Sequence, residues 1–387
     1  MDFDLNETQR ELLKLAKKFA EEELAPHAST WDENHHFPIP TLEKAGECGL
    51  MGIYISEVHG GAGLSRVDAS ILLEELAKGC TSTAAYITIH NMCGWMIATF
   101  GSQEVCERYV GPMVAGKVLG SYCLTEPESG SDAASLKTKA IDKGDHFELS
   151  GSKMFISGGG STGGVLIVMA RTGDETPKGI TAFVVDSSSE GIEWGKNEKK
   201  MGWNSQPTRA LSLNKVKVPK DHILGKPGDG FKIAMKALDG GRVNIAACSL
   251  GAAQACLEQT HRYMNERSQF GKTLSQFQAL QFRFADMATA LVASRQMVRL
   301  AASKLDQNSS DKTVFCAMAK RFVTDECFHI CDEAIQLHGG YGYTKEYSVE
   351  RYQRDCRVHR ILEGTNEIMR LIISRKILGE GALERIR

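Results

Sequence analysis

No C-x-x-C pair, no H-E-x-x-H, no Cys/His quartet and no unbroken apolar run of membrane-span length occurs in these 387 residues. A membrane helix needs about 18 such residues, and a zinc site needs closely spaced ligands, so both classes are set aside and no metal is expected. Charge of one sign is lacking as well. Lys+Arg number 46 against Asp+Glu 48, a formal charge of −2, which leaves no bulk electrostatic case for nucleic acid. With 42% apolar and 24% charged residues the composition is that of a folded chain rather than a disordered one. Paired cysteines are not in view: the eleven are an odd number scattered from Cys48 to Cys356, and read as buried thiols in a reducing compartment. Cys327 and Cys331, one helical turn apart, read as core filling rather than a metal or redox pair. The start, Met1-Asp2-Phe3-Asp4, is acidic where a secretory or mitochondrial leader would be basic, so a leader was never there or has been removed.

At roughly 150 residues per domain the length implies two to three domains, and the hydrophobic period changes twice along the chain. Residues 1–118 read as helices, the first capped by Asn6 with Gln9 as its capping-box partner and with Leu12, Leu13, Ala16, Phe19 and Ala20 as its buried stripe. Breaks are expected at Pro26 and at Phe37-Pro38-Ile39-Pro40, with helix resuming over 42–50 and 68–78 around the Gly60-Gly61-Ala62-Gly63 loop. Over 119–226 the period is two, in short runs at 147–149, 165–169, 180–185 and 210–218, which predicts a sandwich or barrel. From 227 to 387 the helical period returns over 231–265, 276–307, 311–337 and 346–378, none with interior proline. Helices that long need partners along their length, so they are expected to form a bundle. The fold class is therefore mainly α with a β insert.

Two glycine motifs mislead. Gly158-Gly159-Gly160-Ser161-Thr162-Gly163 satisfies G-x-G-x-x-G, but a strand, Val165 to Val168, follows where a dinucleotide site needs a helix N-terminus. Gly111 to Lys117 resembles a phosphate-binding loop until Val118, which has no hydroxyl for magnesium; a turn between helices is expected there.

Two other stretches carry chemistry. Tyr122-Cys123-Leu124-Thr125-Glu126-Pro127-Glu128-Ser129-Gly130-Ser131-Asp132 crowds hydroxyls, amides and carboxylates around a glycine-containing loop, a donor set for a planar heteroaromatic ring or a phosphate. Gln336-Leu337-His338-Gly339-Gly340-Tyr341-Gly342-Tyr343 ends a long helix in glycines that let a ligand approach bare backbone; Arg351-x-x-Arg354-Asp355-x-Arg357 and Ile361-Leu362-Glu363-Gly364-Thr365-Asn366-Glu367-Ile368 follow.

By these two long patterns, about 200 residues apart, the chain resembles the acyl-CoA dehydrogenase family over essentially its whole length. The resemblance implies an N-terminal helical domain, a central β domain (barrel or sandwich) and a C-terminal four-helix bundle, assembled as a tetramer. It implies bound FAD, a fatty acyl-CoA thioester as substrate and electron-transfer flavoprotein as electron acceptor. The implied reaction removes an α-proton by a base while the β-hydrogen leaves as hydride, and Glu363 is the implied base. Two subgroups, the isovaleryl and long-chain enzymes, carry the base just before an arginine that opens a bundle helix; that arginine resembles Arg242, and Gly241 before it takes no proton.

For the flavin the resemblance implies Tyr122, Leu124, Thr125 and Ser131, then Phe155, Ile156 and Ser157, where Phe155 replaces a tryptophan common among relatives. Arg267, in Arg267-Ser268-Gln269-Phe270-Gly271, resembles the residue that reaches a neighbouring subunit's FAD, with Gln278, Gln336, Leu337, His338, Gly339, Gly340, Thr365, Asn366 and Glu367 completing the cradle. Ser131, Asp239, Gly240, Gly241, Arg242 and Arg375 are implied for the substrate. Gly79 to Thr83, Ile89 to Cys93, Gly202 to Arg209 and Asp325 to Phe328 are similar to the branch of the family that acts on isobutyryl-CoA, implying formation of methacrylyl-CoA in valine breakdown; short-chain and 2-methylbutyryl-CoA are the alternatives. A non-enzymatic assembly factor of this fold is weighed against by the presence of Glu363, and an acyl-CoA oxidase by the absence of an added helical domain before Arg387. The expected compartment is the cytoplasm for a bacterial chain, preferred because Met1 directly precedes the helices, or the mitochondrial matrix for a processed eukaryotic one.

Overall fold

Asn6 accepts a hydrogen bond from the Gln9 amide at 2.8 Å and Gln9 accepts one back from Asn6 at 3.2 Å, so the capping box read from the sequence opens the first helix, α1 (Glu7–Phe19). Ala16, Phe19 and Ala20 are buried, with Leu12 packed at the edge of the same core. The computed structural model describes residues 4–161 and 163–379; the acidic start Met1-Asp2-Phe3, Thr162 of the glycine run and the end at Arg387 lie outside the described residues. A π-helical turn, Ala20–Leu24, extends α1, and α2 (Ala28–Asn34), α3 (Ile39–Glu47), α4 (Arg66–Gly79), α5 (Thr81–Phe100) and α6 (Gln103–Val114) follow. Beyond α6 the Gly116-Lys117 turn leads into a strand, β1 (Gly120–Cys123), so it joins a helix to a strand rather than two helices as expected.

The β region is one eight-stranded mixed sheet: β1, β2 (Lys139–Asp142), β3 (His146–Ser157), β4 (Val165–Arg171), β5 (Ile180–Asp186), β6 (Ile192–Asn197), β7 (Thr208–Pro219) and β8 (Ile223–Leu224). Its order is β6-β7-β3-β2-β4-β5-β8, with β1 parallel to β4. The sheet curls so that Phe147 and Leu149 of β3, Val168 of β4, Phe183 of β5 and Leu211 and Val216 of β7 share one core. The opposite face of β4 and β5, Val165, Ile167, Met169, Ala182 and Val184, packs on α5 and α6 through Met92, Met96, Tyr109 and Met113. With both faces covered, β4 and β5 are apolar throughout instead of alternating, while β7 keeps the expected period of two. β3 and β7 are longer than the brief strands expected, 12 residues each, and both bend at bulges in their shared ladder.

The third region holds α7 (Gly230–Glu266), a small hairpin of β9 (Ser268–Gln269) and β10 (Lys272–Thr273), α8 (Gln278–Asp306), α9 (Lys312–His338), α10 (Val349–His359) and α11 (Asn366–Ile377). α7, α8 and α9 pack on one another and on α4 through a core that includes Ala246, Leu250, Leu291, Val298, Val323 and Ile330. Cys327 and Cys331 lie fully buried in that core, and all cysteines are free. Among the described residues no group of His, Cys, Asp and Glu is placed to hold a metal, and no helix is long and apolar enough to cross a membrane. Two expectations change here. The run over 346–378 is two helices, not one, because Glu363 (φ +56°) and Gly364 (φ +90°) turn left-handed between α10 and α11. Arg242 lies inside α7, a full three turns past its start, rather than opening it.

Candidate functional site

The break between α10 and α11 builds the site. Two successive left-handed residues, one of them not glycine, cost free energy and persist only where the surroundings hold them. Here they swing the Glu363 carboxyl against α7 at Gly241, where that helix has no side chain. A Cβ on Gly241 would stand 2.4 Å from Glu363 Oε2, so only glycine leaves the carboxyl its room. The position that was set aside for lack of a proton acceptor is therefore immediate neighbour to the carboxyl that can accept one.

Glu363 opens partly onto a cavity, but its Oε2 is shut away from solvent and has no hydrogen-bond partner. Desolvation raises its pKa from the ordinary 4.5 to about 7, against the opposing pull of the Arg242 and Lys320 charges. Arg242 is itself buried: Nη1 donates to Asp239 Oδ1 at 2.7 Å and Nε reaches the Glu363 carbonyl at 3.4 Å. Asp239 accepts a second bond from Thr313 Oγ1 at 2.6 Å, so this carboxylate is fully engaged and orients the guanidinium rather than facing the cavity. Lys320 Nζ donates to the Gly364 carbonyl at 2.7 Å and to Asn366 Oδ1 at 2.8 Å.

The cavity measures about 400 Å³ and gathers much of what the sequence singled out: Tyr122, Leu124, Thr125 and Ser131 from the polar loop, Phe155, Ile156 and Ser157 from β3, and Arg242, Glu363 and Arg375 from the third region. Most of its remaining lining is apolar, with Ile89 and Met92 from α5 and Phe231, Met235 and Leu238 from α7, and Asp132 is a further carboxylate there. The Tyr122 hydroxyl is a second buried polar atom without a partner. Phe155 sits in a bulge with a left-handed backbone (φ +60°), which leaves its ring 61% exposed at the cavity.

The loop at 124–132 is held by a residue that the sequence did not flag. Lys153 of β3, 0% exposed, donates to the Leu124 carbonyl at 3.2 Å and to Glu126 Oε1 at 2.8 Å. Burial would raise the Glu126 carboxyl; Lys153 and the N–H groups of Lys137 and Thr138 hold it below its ordinary value instead. A lysine in an otherwise β-patterned run was the available signal. Trp203 is also in the lining, on a left-handed backbone (φ +57°). Its N–H donates to Asp355 at 2.6 Å and its indole N–H to His359 at 3.2 Å. Arg354 bonds Asp32, Glu350 and the Met201 carbonyl, so the Arg354-Asp355 pair fastens the Trp203 loop to α10 and α2.

The other predicted residues lie elsewhere. Arg267 and the segment from Gln336 to Gly340 line a second cavity of about 810 Å³ that shares no residue with the first. A Cβ at Gly339 or Gly340 would meet nothing within 4 Å, so that backbone is open, and Phe270 beside it is 94% exposed. Gln278 lies in neither lining and is exposed at the start of α8. Thr365 caps α11, accepting from the Ile368 N–H at 3.3 Å; Asn366 is buried with its amide donating to Thr324 and Asp325; Glu367 pairs with Arg370 at 3.6 Å on the surface. Gly240 leaves room for the Arg66 guanidinium, which stacks on Tyr54.

Comparison with known proteins finds relatives along nearly the whole chain. Residues 6–117, 121–216 and 228–378 match the acyl-CoA dehydrogenase N-terminal, middle and C-terminal domains. The mitochondrial isobutyryl-CoA dehydrogenase of Bos taurus is 53% identical over 376 residues, 97% of this chain and 90% of the relative. That of Dictyostelium discoideum is 52% identical over 374 residues, 96% and 90%. The structure of butyryl-CoA dehydrogenase from Megasphaera elsdenii superposes with a TM-score of 0.94 at 38% identity, covering 98% of this chain and all of that one.

Two outcomes follow from the packing around Glu363. Between its ordinary pKa of 4.5 and about 7 the folded protein keeps a proton that the unfolded chain has lost, so stability falls as pH rises through that window. Glu363→Gln removes the penalty and is expected to be more stable than the wild type above pH 7 by on the order of 3 kcal/mol. The gap should close toward pH 4.5; equal melting temperatures at pH 8 would show that the carboxyl is not desolvated. Gly241→Ala puts a methyl group where Oε2 lies and is expected to cost about 100-fold in turnover while the protein still folds, as an ångström-scale displacement of a reacting group does.

Proposed function

Because the chain belongs to the acyl-CoA dehydrogenase family of flavin-dependent oxidoreductases, we propose that it desaturates isobutyryl-CoA to methacrylyl-CoA, with Glu363 as the base. The observation that carries the reading is the unpartnered, buried Oε2 of Glu363 at a cavity that Ile89, Met92, Phe231, Met235 and Leu238 also line. The α-proton of a thioester is weakly acidic, and a carboxylate in water is too weak a base for it. Desolvation to a pKa of about 7 makes Glu363 a stronger proton acceptor while Arg242, beside it, keeps the ionised form accessible near neutral pH. The Ile89, Met92 and Leu238 side chains exclude water from the acyl end. Arg242 and Arg375, in the same lining, offer cationic donors for the polar part of the thioester ligand.

The residues fit FAD. Hydroxyls of Thr125, Ser131 and Ser157, the exposed Phe155 ring and the buried Tyr122 hydroxyl line the cavity, a donor set and aromatic surface suited to a flavin ring. Bound there, FAD would supply the acceptor for the β-hydrogen as hydride. The open Gly339-Gly340 backbone with Arg267 forms a second, separate cradle suited to a pyrophosphate, where a guanidinium donates in pairs. On this reading the assembly is a homotetramer in which the Arg267 cradle of one copy serves the flavin of its neighbour, with electron-transfer flavoprotein taking the electrons onward. For the acyl group the support is kinship, 53% identity to a protein named isobutyryl-CoA dehydrogenase. One methylene in an apolar pocket is worth only about 1–3 kcal/mol, too little for general shape to decide between neighbouring acyl chains. The word mitochondrial in the names of both relatives supports the matrix over the cytoplasm as the compartment.

The first experiment is an anaerobic titration of the purified yellow protein, read as bleaching of the oxidised flavin band. Isobutyryl-CoA is expected to bleach it at lower concentration than butyryl-CoA or 2-methylbutyryl-CoA; preference for either rival overturns the substrate while leaving the reaction. Glu363→Gln should hold its flavin and lose turnover, because the amide fills the same space without basicity. A variant that still turns over would show that another group takes the proton.

A further inference from the structure

Lys320 of α9 is among the largest side chains in the protein with no exposure at all. An ammonium group in such a place needs acceptors, and it has two: the Gly364 carbonyl at 2.7 Å and Asn366 Oδ1 at 2.8 Å. Both belong to the corner that carries Glu363. The Asn366 amide nitrogen donates to Thr324 Oγ1 at 3.0 Å and Asp325 Oδ1 at 2.9 Å, which turns its oxygen to Lys320 at 2.8 Å, with the Thr324 hydroxyl a longer donor to it at 3.3 Å, so the α11 start is tied down through both ends of the amide. The left-handed pair Glu363-Gly364 is the kind of backbone that unassisted chain avoids, and the bond to the Gly364 carbonyl falls at its second residue.

Resting on the reading of Glu363 as base, we propose that Lys320 is a positioning residue for it: its two hydrogen bonds hold the Glu363-to-Asn366 corner with the carboxyl aimed into the cavity, and its charge stabilises the carboxylate. The charged and titratable groups that face this pair come from every neighbouring element. Arg242 stands on α7, His359 on α10, Glu367 on α11 and Asp325 on Lys320's own helix, while Tyr122 and Cys93 lie beyond the carboxyl. His359, buried and held down to about 3, carries no charge at neutral pH, so Arg242 and Lys320 are the two cations that act on Glu363. Desolvation brings Lys320 down to about 7, against the opposing pull of Glu363, so base and lysine titrate in one range and each steadies the other's charged form.

The test compares Lys320→Met and Lys320→Gln with Glu363→Gln in the flavin-loaded protein. Lys320→Met is expected to keep its flavin, to lose about tenfold or more in kcat with KM changed less than about twofold, and to move the acidic limb of the kcat profile up by about one pH unit, the shift that a tenfold weaker ionisation produces. Lys320→Gln, which keeps a donor for the Gly364 carbonyl, should recover part of kcat and leave the limb displaced. The melting temperature against pH supplies a readout apart from activity: the stability gained on adding Glu363→Gln should be larger in the Lys320→Met background than in the wild type. A folded Lys320→Met with wild-type kcat and acidic limb overturns the proposal. Should that variant fail to fold, Asn366→Ala removes one acceptor and keeps the lysine; a displaced limb supports the proposal and an unmoved one overturns it. Turnover retained by Glu363→Gln alone would overturn the assignment of the base instead.

Discussion

A carboxyl group kept out of water at a corner between two helices is the constraint around which the rest of the molecule is arranged. Desolvation alone would leave Glu363 protonated at neutral pH; Arg242 and Lys320 on two different helices pull the other way, and the result lies near 7. That balance requires α7, α9 and the α10–α11 corner to meet at one point. It also requires α7 to be bare there, which Gly241 provides by leaving 2.4 Å between a missing Cβ and the carboxyl oxygen. The long helices give those meeting points rigidity, since each is buried along one side against its neighbours over many turns.

The cavity walls are held by buried charges as much as by apolar packing. Lys153 and Glu126 pair inside the β region and fix the polar loop to β3; Arg354 and Asp355 fix the Trp203 loop to α10. Such pairs add little net stability, because desolvation offsets the Coulombic gain, but a buried charge without its partner is costly, so they leave one arrangement far below the others. Residues that stand out in the sequence as a motif, Arg351, Arg354 and Asp355, thus work as fasteners: Arg351 donates to Ser29 and Arg354 to Asp32, joining the third region to the first.

Much of the fold was legible from periodicity. The Asn6–Gln9 cap, the return of the helical period after Gly230 and the apolar runs at 165–169 and 180–185 all correspond to elements, because each is a local preference that burial reinforced. The strands β2, β6 and β8 were not singled out, being short and in part exposed, so their sequences carry little apolar pattern. The break at Glu363 was invisible for a different reason. No proline or glycine pair interrupts the apolar spacing there, and the left-handed turn is imposed by bonds from Lys320 and the fit against Gly241, residues 43 and 122 positions away.

By itself the sequence determined the family and the candidates for its chemistry: the loop at 122–132, the glycines at 339 and 340 and the Leu362-Glu363-Gly364 segment stand in patterns long enough to name a family. Only the tertiary structure decided how they are grouped. It divided the predicted cradle between two cavities, turned Asn366 and Asp239 away into hydrogen bonds with their neighbours, and gave Lys153, Trp203 and Lys320 places at the site that no motif assigns them. The physical reason is that a motif records which groups a ligand or a proton would need, whereas the environment that sets their burial, charge and direction is contributed by residues distant in the chain and near only once it has folded.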